Sequence, residues 1–143
     1  MRWIVLFTLV LLVSGCNLSA EQPTPTPEPA IPEVSFLFPT NGTVVVVGTD
    51  VQIQLFAQDR RGVGIARVEL YVDEALIQTS TPLVSAAVTE FTVDMNWLAE
   101  GVGLHSLRAV AYRPDGSESD PSIITLDVIS PAGGADATAS PGA

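Results

Sequence analysis

Few side chains in this chain could do chemistry, because its 143 residues include one histidine, one cysteine and no lysine. The single Cys and His exclude an intrachain disulfide, a Cys/His zinc cluster and a two-histidine metal motif. Without lysine there is no Schiff-base or P-loop chemistry. His105 is the first candidate for a catalytic base, yet no Gly-x-Ser-x-Gly motif accompanies it. We predict a core or rim histidine that bonds a loop carbonyl, no catalytic residues and a protein that is not an enzyme.

Three carboxylates in the segment 114–121 form a weak candidate for a calcium site: Asp115, Glu118 and Asp120. Their oxygens suit Ca²⁺, although the spacing is not that of an EF-hand loop. The alternative is a plain turn, for which Asp115-Gly116 suffices. We favour the turn and expect no metal and no cofactor, with Arg113 as the nearest compensating charge.

Two tyrosines and two arginines are candidates for a binding face: Arg67, Tyr71, Arg108 and Tyr112. Together with Glu69, they would share one face of a sheet if their predicted strands are neighbours. Exposed aromatic side chains with arginine are typical of binding patches. The same residues are also typical of cross-strand pairs that stabilise any sheet, so both interpretations stay open.

The elements that must position these residues are β-strands, because apolar residues alternate with polar ones between short turn clusters. The predicted inward faces are Val51, Ile53, Leu55, Ala57; Ala66, Val68, Leu70, Val72; Phe91, Val93, Met95, Trp97; His105, Leu107, Ala109, Ala111; and Ile124, Leu126, Val128. Shorter strands are predicted at 34–38, 43–47 and 75–79. Trp97 should be buried at one end of a sandwich. The pattern predicts an all-β domain over 33–130 with about seven to eight strands.

The order of the segments across this domain resembles the bacterial Ig-like domains of secreted and surface proteins. The resemblance is carried by residues 39–42 (PTNG), 48–53 (GTDVQI), 64–73 (GIARVELYVD), Trp97, 103–112 (GLHSLRAVAY) and 115–116 (DG). It implies an immunoglobulin-like antiparallel β-sandwich with a spacer, adhesive or presentation role and no catalytic residues. The paired cysteines and central tryptophan of antibody domains are absent from this sequence.

The first sixteen residues have the features of an export signal. Arg2 precedes an apolar run from Trp3 to Val13, which is too short for a spanning helix and has the layout of a signal peptide over 1–15. The segment 13–16 (VSGC) resembles the bacterial lipobox, which implies diacylation of Cys16 and a lipid anchor in a membrane. An ordinary signal peptide that leaves a free thiol is the alternative.

The regions on either side of the domain are predicted to be a stalk and a tail. Residues 16–32 hold the lipidated cysteine and a proline-rich linker, and residues 131–143 are small and polar, so the tail should be disordered. The net charge of −10 argues against a nucleic-acid partner. We therefore predict a non-catalytic, extracytoplasmic lipoprotein at the cell membrane or surface, whose domain binds or presents a protein or polysaccharide partner. The alternative is an accessory subunit of an envelope transport or secretion complex.

Overall fold

The computed structural model of the chain describes residues 31–131. The predicted signal peptide, Cys16, nearly all of the linker, and residues 132–143 of the tail lie outside the described residues. Within them, no helix is long and apolar enough to cross a membrane.

Eight strands and no helix make up the described part of the chain, which confirms the all-β prediction. The strands are β1 (Glu33–Phe38), β2 (Val44–Val46), β3 (Asp50–Gln58), β4 (Arg67–Val72), β5 (Ala75–Ser80), β6 (Glu90–Leu98), β7 (Gly103–Tyr112) and β8 (Ser122–Ile129). Each predicted strand overlaps one of them. The sequence-based prediction therefore located every strand, including the three shorter ones.

The strands form two sheets, one in the order β1-β3-β6 and the other in the order β2-β8-β7-β4-β5. Most neighbours are antiparallel, but β2 pairs with β8 in parallel, so a purely antiparallel sandwich was wrong at this edge. The reason lies between β1 and β2, where the chain crosses to the other sheet without reversing its direction. The crossing contains the cis peptide bond between Phe38 and Pro39.

The inward faces of the two sheets form one hydrophobic core, as the alternation predicts. Its buried members are Val51, Ile53, Leu55, Ala57, Ile65, Val68, Leu70, Val72, Val93, Met95, Trp97, Ala99, Leu107, Ala109, Ala111, Ile124, Leu126 and Val128. Trp97 is 7% exposed, which confirms its predicted burial. Three predicted members differ: Ala66 precedes β4 and is half-buried, Phe91 packs against the edge of the core, and His105 is half-buried. The buried cluster comes from residues 51–128, and Val34, Phe36, Val45 and Val47 pack against it from β1 and the segment 45–47.

The sandwich has two ends, which we call the base and the top. At the base, Glu33 at the start of β1 lies beside Gln58 at the end of β3. The loops 59–66, 81–89 and 113–121 connect strands at this end. At the top, Ile129 at the end of β8 pairs with Val46, shortly before β3 begins. The chain thus enters the domain at the base and leaves it at the top.

Candidate functional site

The four residues predicted as a binding face do lie together, on the outer face of the five-stranded sheet. Strands β4 and β7 are neighbours, and their register places Arg67 opposite Tyr112 and Tyr71 opposite Arg108. The Arg67 guanidinium carbon lies 3.8 Å from the centre of the Tyr112 ring, and that of Arg108 lies 3.9 Å from the centre of the Tyr71 ring. Each contact is a cation–π pair between the two strands. In one pair the arginine belongs to β4 and the tyrosine to β7, and in the other pair the strands are exchanged.

Glu69, which we expected on the same face, lies between the two pairs and joins them. Its Oε1 accepts a 2.8 Å hydrogen bond from Nε of Arg67, and its Oε2 accepts a 2.6 Å bond from the Tyr71 hydroxyl. Arg67, Glu69, Tyr71, Arg108 and Tyr112 together are called the arginine–tyrosine cluster below. Its five polar side chains form one network, which fixes their orientation on the sheet.

The cluster shifts the ionisation of its own members. Burial alone would raise the pKa of the Glu69 carboxyl, but the bonds from Arg67 and Tyr71 outweigh burial and hold this pKa below its usual value. The pKa of Tyr71 is raised, chiefly by its hydrogen bond to the Glu69 carboxylate. Burial, followed by the hydrogen bond with Tyr71, raises the pKa of Tyr112. Near neutral pH the cluster therefore holds an ionised glutamate and two neutral tyrosines.

One row of this cluster continues across four strands as a platform. Leu76 on β5 is paired with Tyr71, which is paired with Arg108, which is paired with Ile123 on β8. Leu76 is 53% exposed and Ile123 is 57% exposed. We call this row of four residues the platform. At its centre the Arg108 guanidinium stacks on the Tyr71 ring, and at its two ends the aliphatic side chains of Leu76 and Ile123 are exposed.

The arginines also cover the sheet beneath them. Val110 points outward from β7 yet is only 3% exposed, because it lies between the two cation–π pairs. Nε of Arg108 is buried and has no hydrogen-bond partner within residues 31–131. The other end of this guanidinium lies 3.7 Å from the exposed Glu74 carboxylate, so its charge is only weakly compensated.

His105 occupies the rim at the top of the sandwich. Its Nδ1 lies 2.7 Å from Oδ2 of Asp73, and its Nε2 lies 3.3 Å from the carbonyl oxygen of Gly101. Its ring centre is 5.4 Å from that of Trp97. The prediction of a rim histidine that bonds a loop carbonyl is confirmed. Because each ring nitrogen already faces an acceptor of the chain, the arrangement fixes the top loops and does not resemble a base aimed at a nucleophile.

Asp73 anchors the turn that faces His105. Its Oδ1 accepts a 2.9 Å bond from the backbone N–H of Ser106. This bond, and then the contact with His105, hold the pKa of the Asp73 carboxyl below its usual value despite partial burial. Asp73 and Glu74 both have positive φ angles, 47° and 69°, as the two central residues of the β4–β5 turn. That geometry is the type I′ turn of two-residue hairpins.

The calcium candidate residues lie on the loop between β7 and β8, where the favoured turn is present. Oδ1 of Asp115 accepts a 2.9 Å bond from the N–H of Ser117, and this bond is the chief reason that the pKa of Asp115 is lowered. Gly116 has a φ of +87°. Glu118 and Asp120 are exposed. Across residues 31–131, no three His, Cys, Asp or Glu side chains are grouped so that they could hold a metal ion.

Arg113, expected to compensate those acids, exerts a minor electrostatic effect on Asp115, and its guanidinium is bound chiefly to Asp59 at the base. Its Nε and Nη2 donate 2.8 Å bonds to Oδ2 and Oδ1 of that carboxylate. The N–H groups of Arg61 and Gly64 donate to the same two oxygens. Asp59 has a fully buried side chain, and the bonds from Arg113 lower its pKa to about 2. This buried pair was missed because Asp59 lies in a cluster of turn residues, which usually face solvent.

The family comparison and the solved structures agree with this fold. A family model described as a bacterial Ig domain matches residues 32–109, which is more than half of the chain. No curated protein matches the chain. Fibronectin(III)-like modules of Clostridium thermocellum CbhA superpose with a TM-score of 0.53 at 21% identity, covering 68% of this chain and 98% of the module.

Two further solved structures share the fold. A CARDB domain from Pyrococcus furiosus, solved in complex with di-metal ions, has a TM-score of 0.54 at 16% identity and covers 70% of this chain and 94% of its own. The PKD domain of a peptidase from a Thermoplasmatales archaeon has a TM-score of 0.51 at 18% identity, with 68% and 92% covered. At these identities the likeness concerns the fold alone.

Proposed function

We propose, from the premise that this chain belongs to the bacterial Ig domain family, that it is a non-catalytic cell-envelope lipoprotein whose sandwich binds or presents a partner. Bacterial Ig-like domains are commonly extracellular or surface-exposed, and folds of this kind are generic interaction modules. This function requires a binding face on the domain and a lipid anchor at Cys16.

The observation that carries the binding part is the platform. Four side chains from four neighbouring strands lie in one row, and the two at its ends leave more than half of their surface in water. Hydrogen bonds and stacking fix the orientation of the central pair, so little side-chain entropy remains to be lost when a partner binds. Arginine and tyrosine are also the residue types that dominate binding energy at interfaces.

The chemistry of the platform favours a protein partner over a polysaccharide. A sugar ring stacks on the free face of an aromatic side chain, but an arginine already covers a face of Tyr71 and of Tyr112. What the platform offers instead is aliphatic surface beside a weakly compensated guanidinium. This combination fits a polypeptide that brings apolar side chains and a carboxylate.

The test is affinity capture from envelope extract with the chain as bait, compared across matched variants. Leu76→Glu and Ile123→Glu place charge on the platform without removing any core contact. Leu98→Glu is the control, since Leu98 is 49% exposed on the other sheet. A partner bound by wild type and by the control, but lost with both platform variants, supports the proposal. Equal capture by all four proteins contradicts it.

The anchor is supported by the residues 13–16 alone, since Cys16 is outside the described residues. Cys16→Ser should abolish acylation, release the protein from the membrane fraction and block cleavage by the lipoprotein signal peptidase. The measurement is the mass of the N-terminal peptide together with fractionation of cells. Equal membrane retention of wild type and Cys16→Ser contradicts the anchor.

An accessory subunit of an envelope transport or secretion complex is the second candidate, and an edge strand favours it. β5 lies at the edge of the five-stranded sheet, and its six residues carry no charge. Edge strands are usually protected by charged side chains, because their free backbone groups can pair with another strand. Ile77→Lys would protect this edge. Loss of a partner with Ile77→Lys, but not with the platform variants, would favour this candidate.

A further inference from the structure

Leu83 and Val84 are the most exposed large apolar side chains in the described part of the chain, at 100% and 91%. They are adjacent in the loop that connects β5 to β6. Single exposed aliphatic residues are ordinary on protein surfaces, but two adjacent ones with no covering contact form a small apolar tip. Neither side chain contributes to the core, so their burial has to come from outside the domain.

This tip belongs to the base of the sandwich, where the chain enters the domain. Its loop is joined to the loop 59–66 by paired hydrogen bonds of 2.6 and 3.1 Å between the backbones of Ile65 and Val88. That neighbouring loop adds Val63, which is 50% exposed, and the exposed Arg60 and Arg61. Exposed aliphatic side chains beside arginines are the combination found in segments that lie at the boundary between lipid headgroups and acyl chains.

The length of chain outside the structure determines which surface the base can reach. Fourteen residues separate Cys16 from Ile31. Even fully extended as polyproline II they span only about 43 Å, at about 3.1 Å per residue. A bilayer that holds Cys16 is therefore always within reach of the base, at a high effective concentration. At this effective concentration, even a weak affinity of the base for lipid is sufficient to keep the base on the bilayer.

The charge of the base limits the kind of lipid contact. Asp115, Glu118 and Asp120 lie on the third loop of this end, and they repel an anionic surface. The two arginines offset this repulsion only in part. The contact must therefore come from apolar insertion, and it should be stronger on zwitterionic than on strongly anionic membranes.

We propose that Leu83 and Val84 insert at the headgroup–acyl boundary of the membrane, so that the base of the sandwich makes a second membrane contact. The inference rests on the proposed anchoring of Cys16 for its physiological setting. The domain then lies on the bilayer with its top, and the platform on its side, accessible to a partner. A second copy of the chain and a protein partner are the competing occupants of the tip.

The test places a fluorophore beside the tip without altering it. Residues 17–143 contain no cysteine, so Ser85→Cys gives a unique labelling position next to Val84. An N-terminal histidine tag attaches this protein, through the same end as in the cell, to phosphatidylcholine vesicles that contain nickel-chelating and nitroxide-labelled lipids. A label at Val102→Cys, in the loop before β7 at the top, is the matched control.

We expect nitroxide quenching at Ser85→Cys to exceed that at Val102→Cys by at least about twofold. The added changes Leu83→Ser and Val84→Ser should abolish the difference while leaving the thermal unfolding transition in place. Equal quenching at both positions overturns the proposal. A change in fluorescence that needs no vesicles, together with dimers in sedimentation, overturns it in favour of a second copy.

Failure of the anchor and failure of the tip are distinguishable. The histidine tag replaces Cys16, so quenching reports the lipid contact whether or not the native chain is acylated. The mass of the native N-terminal peptide reports acylation alone.

Discussion

Arg113 donates two hydrogen bonds of 2.8 Å to Asp59, which is 54 residues away in the sequence, and both side chains are buried at the base of the sandwich. The same carboxylate accepts N–H groups from Arg61 and Gly64 in the loop 59–66. A single buried ion pair therefore fixes the loop after β3 to the end of β7. Such a pair is sensitive to the loss of either charge.

Acid should destabilise the fold through Asp59. Its pKa falls from 3.8 to about 2 on folding, because Arg113 stabilises the ionised form. The stabilisation is complete above the unfolded pKa of about 4 and is lost as the pH falls from there to about 2. One pKa unit corresponds to about 1.4 kcal/mol, so about 2 kcal/mol of the free energy of unfolding should disappear over this interval. Urea denaturation between pH 2 and about 6 measures it.

Asp59→Asn is the control for that pH dependence. At neutral pH it should lower the free energy of unfolding by about 3 kcal/mol, because it removes the charge that Arg113 binds. The variant should then lose less stability between pH 4 and about 2 than wild type does. An unchanged acid dependence in Asp59→Asn would assign the effect to other carboxylates.

Alkali should report directly on the arginine–tyrosine cluster, because the chain has two tyrosines and both lie in it. The Glu69 carboxylate raises the pKa of Tyr71, and burial raises that of Tyr112. We expect the tyrosinate absorbance of the folded protein to rise only well above the ordinary midpoint near pH 10. The stability due to the neutral phenols is then present below about pH 10 and is lost as the pH rises through the folded pKa values.

Glu69→Gln should move the tyrosine titration towards its ordinary midpoint, because it removes the carboxylate that binds the Tyr71 hydroxyl. Glu90→Gln, an exposed carboxylate at the start of β6, is the matched control and should leave the titration unchanged. A wild-type midpoint near pH 10 would mean that the two phenols are freely hydrated in solution.

Trp97→Ala should be severely destabilising. The indole is buried in the core and stands against His105, so the smaller side chain leaves a cavity at the top. Large-to-small changes of this kind cost about 3–5 kcal/mol, while a domain has only about 5–15 kcal/mol in total. Thermal unfolding measures the loss. The neighbouring Leu98→Ala should change little, and similar melting temperatures for both variants would contradict the assigned packing.

Glu74→Gly should stabilise the protein. Glu74 has a φ of 69°, in the left-handed region that costs most side chains about 1–2 kcal/mol. Glycine has no steric cost there, and its larger loss of backbone entropy on folding, about 0.5–1 kcal/mol, offsets only part of the gain. Its ion pair with Arg108 is 3.7 Å long and exposed, so losing it matters little. We expect a gain of about 1 kcal/mol in urea denaturation. Glu74→Ala, which keeps the strained turn, should show no gain.

Much of the fold could be predicted from local sequence, because apolar and polar side chains alternate within each long strand. The inward residues of β3, such as Ile53 and Leu55, are buried as predicted. The parallel pairing of β2 with β8 could not be predicted in this way. A three-residue strand has no period to read, and its partner depends on where the chain crosses between sheets.

The residues of the candidate site could be predicted from the sequence, but the contacts between them could not. Tyr71 and Arg108 are outward residues of β4 and β7, so they lie on the same face of the sheet if these two strands are neighbours. The register that stacks them, and the role of Glu69 between the two pairs, depend on long-range pairing. The Asp59–Arg113 pair was missed for a related reason, since nothing near Asp59 in the sequence shows that a distant arginine will bury it.

The chain enters the sandwich beside Glu33 at the base and leaves it beside Ile129 at the top. A pull between an anchor on one side and a load on the other is therefore directed along the strands. The hydrogen bonds between strands lie across that direction, so tension loads many of them together in shear instead of opening them one by one. With its two chain ends at opposite ends of the sandwich, the domain resists a pull between those ends through these strand pairs.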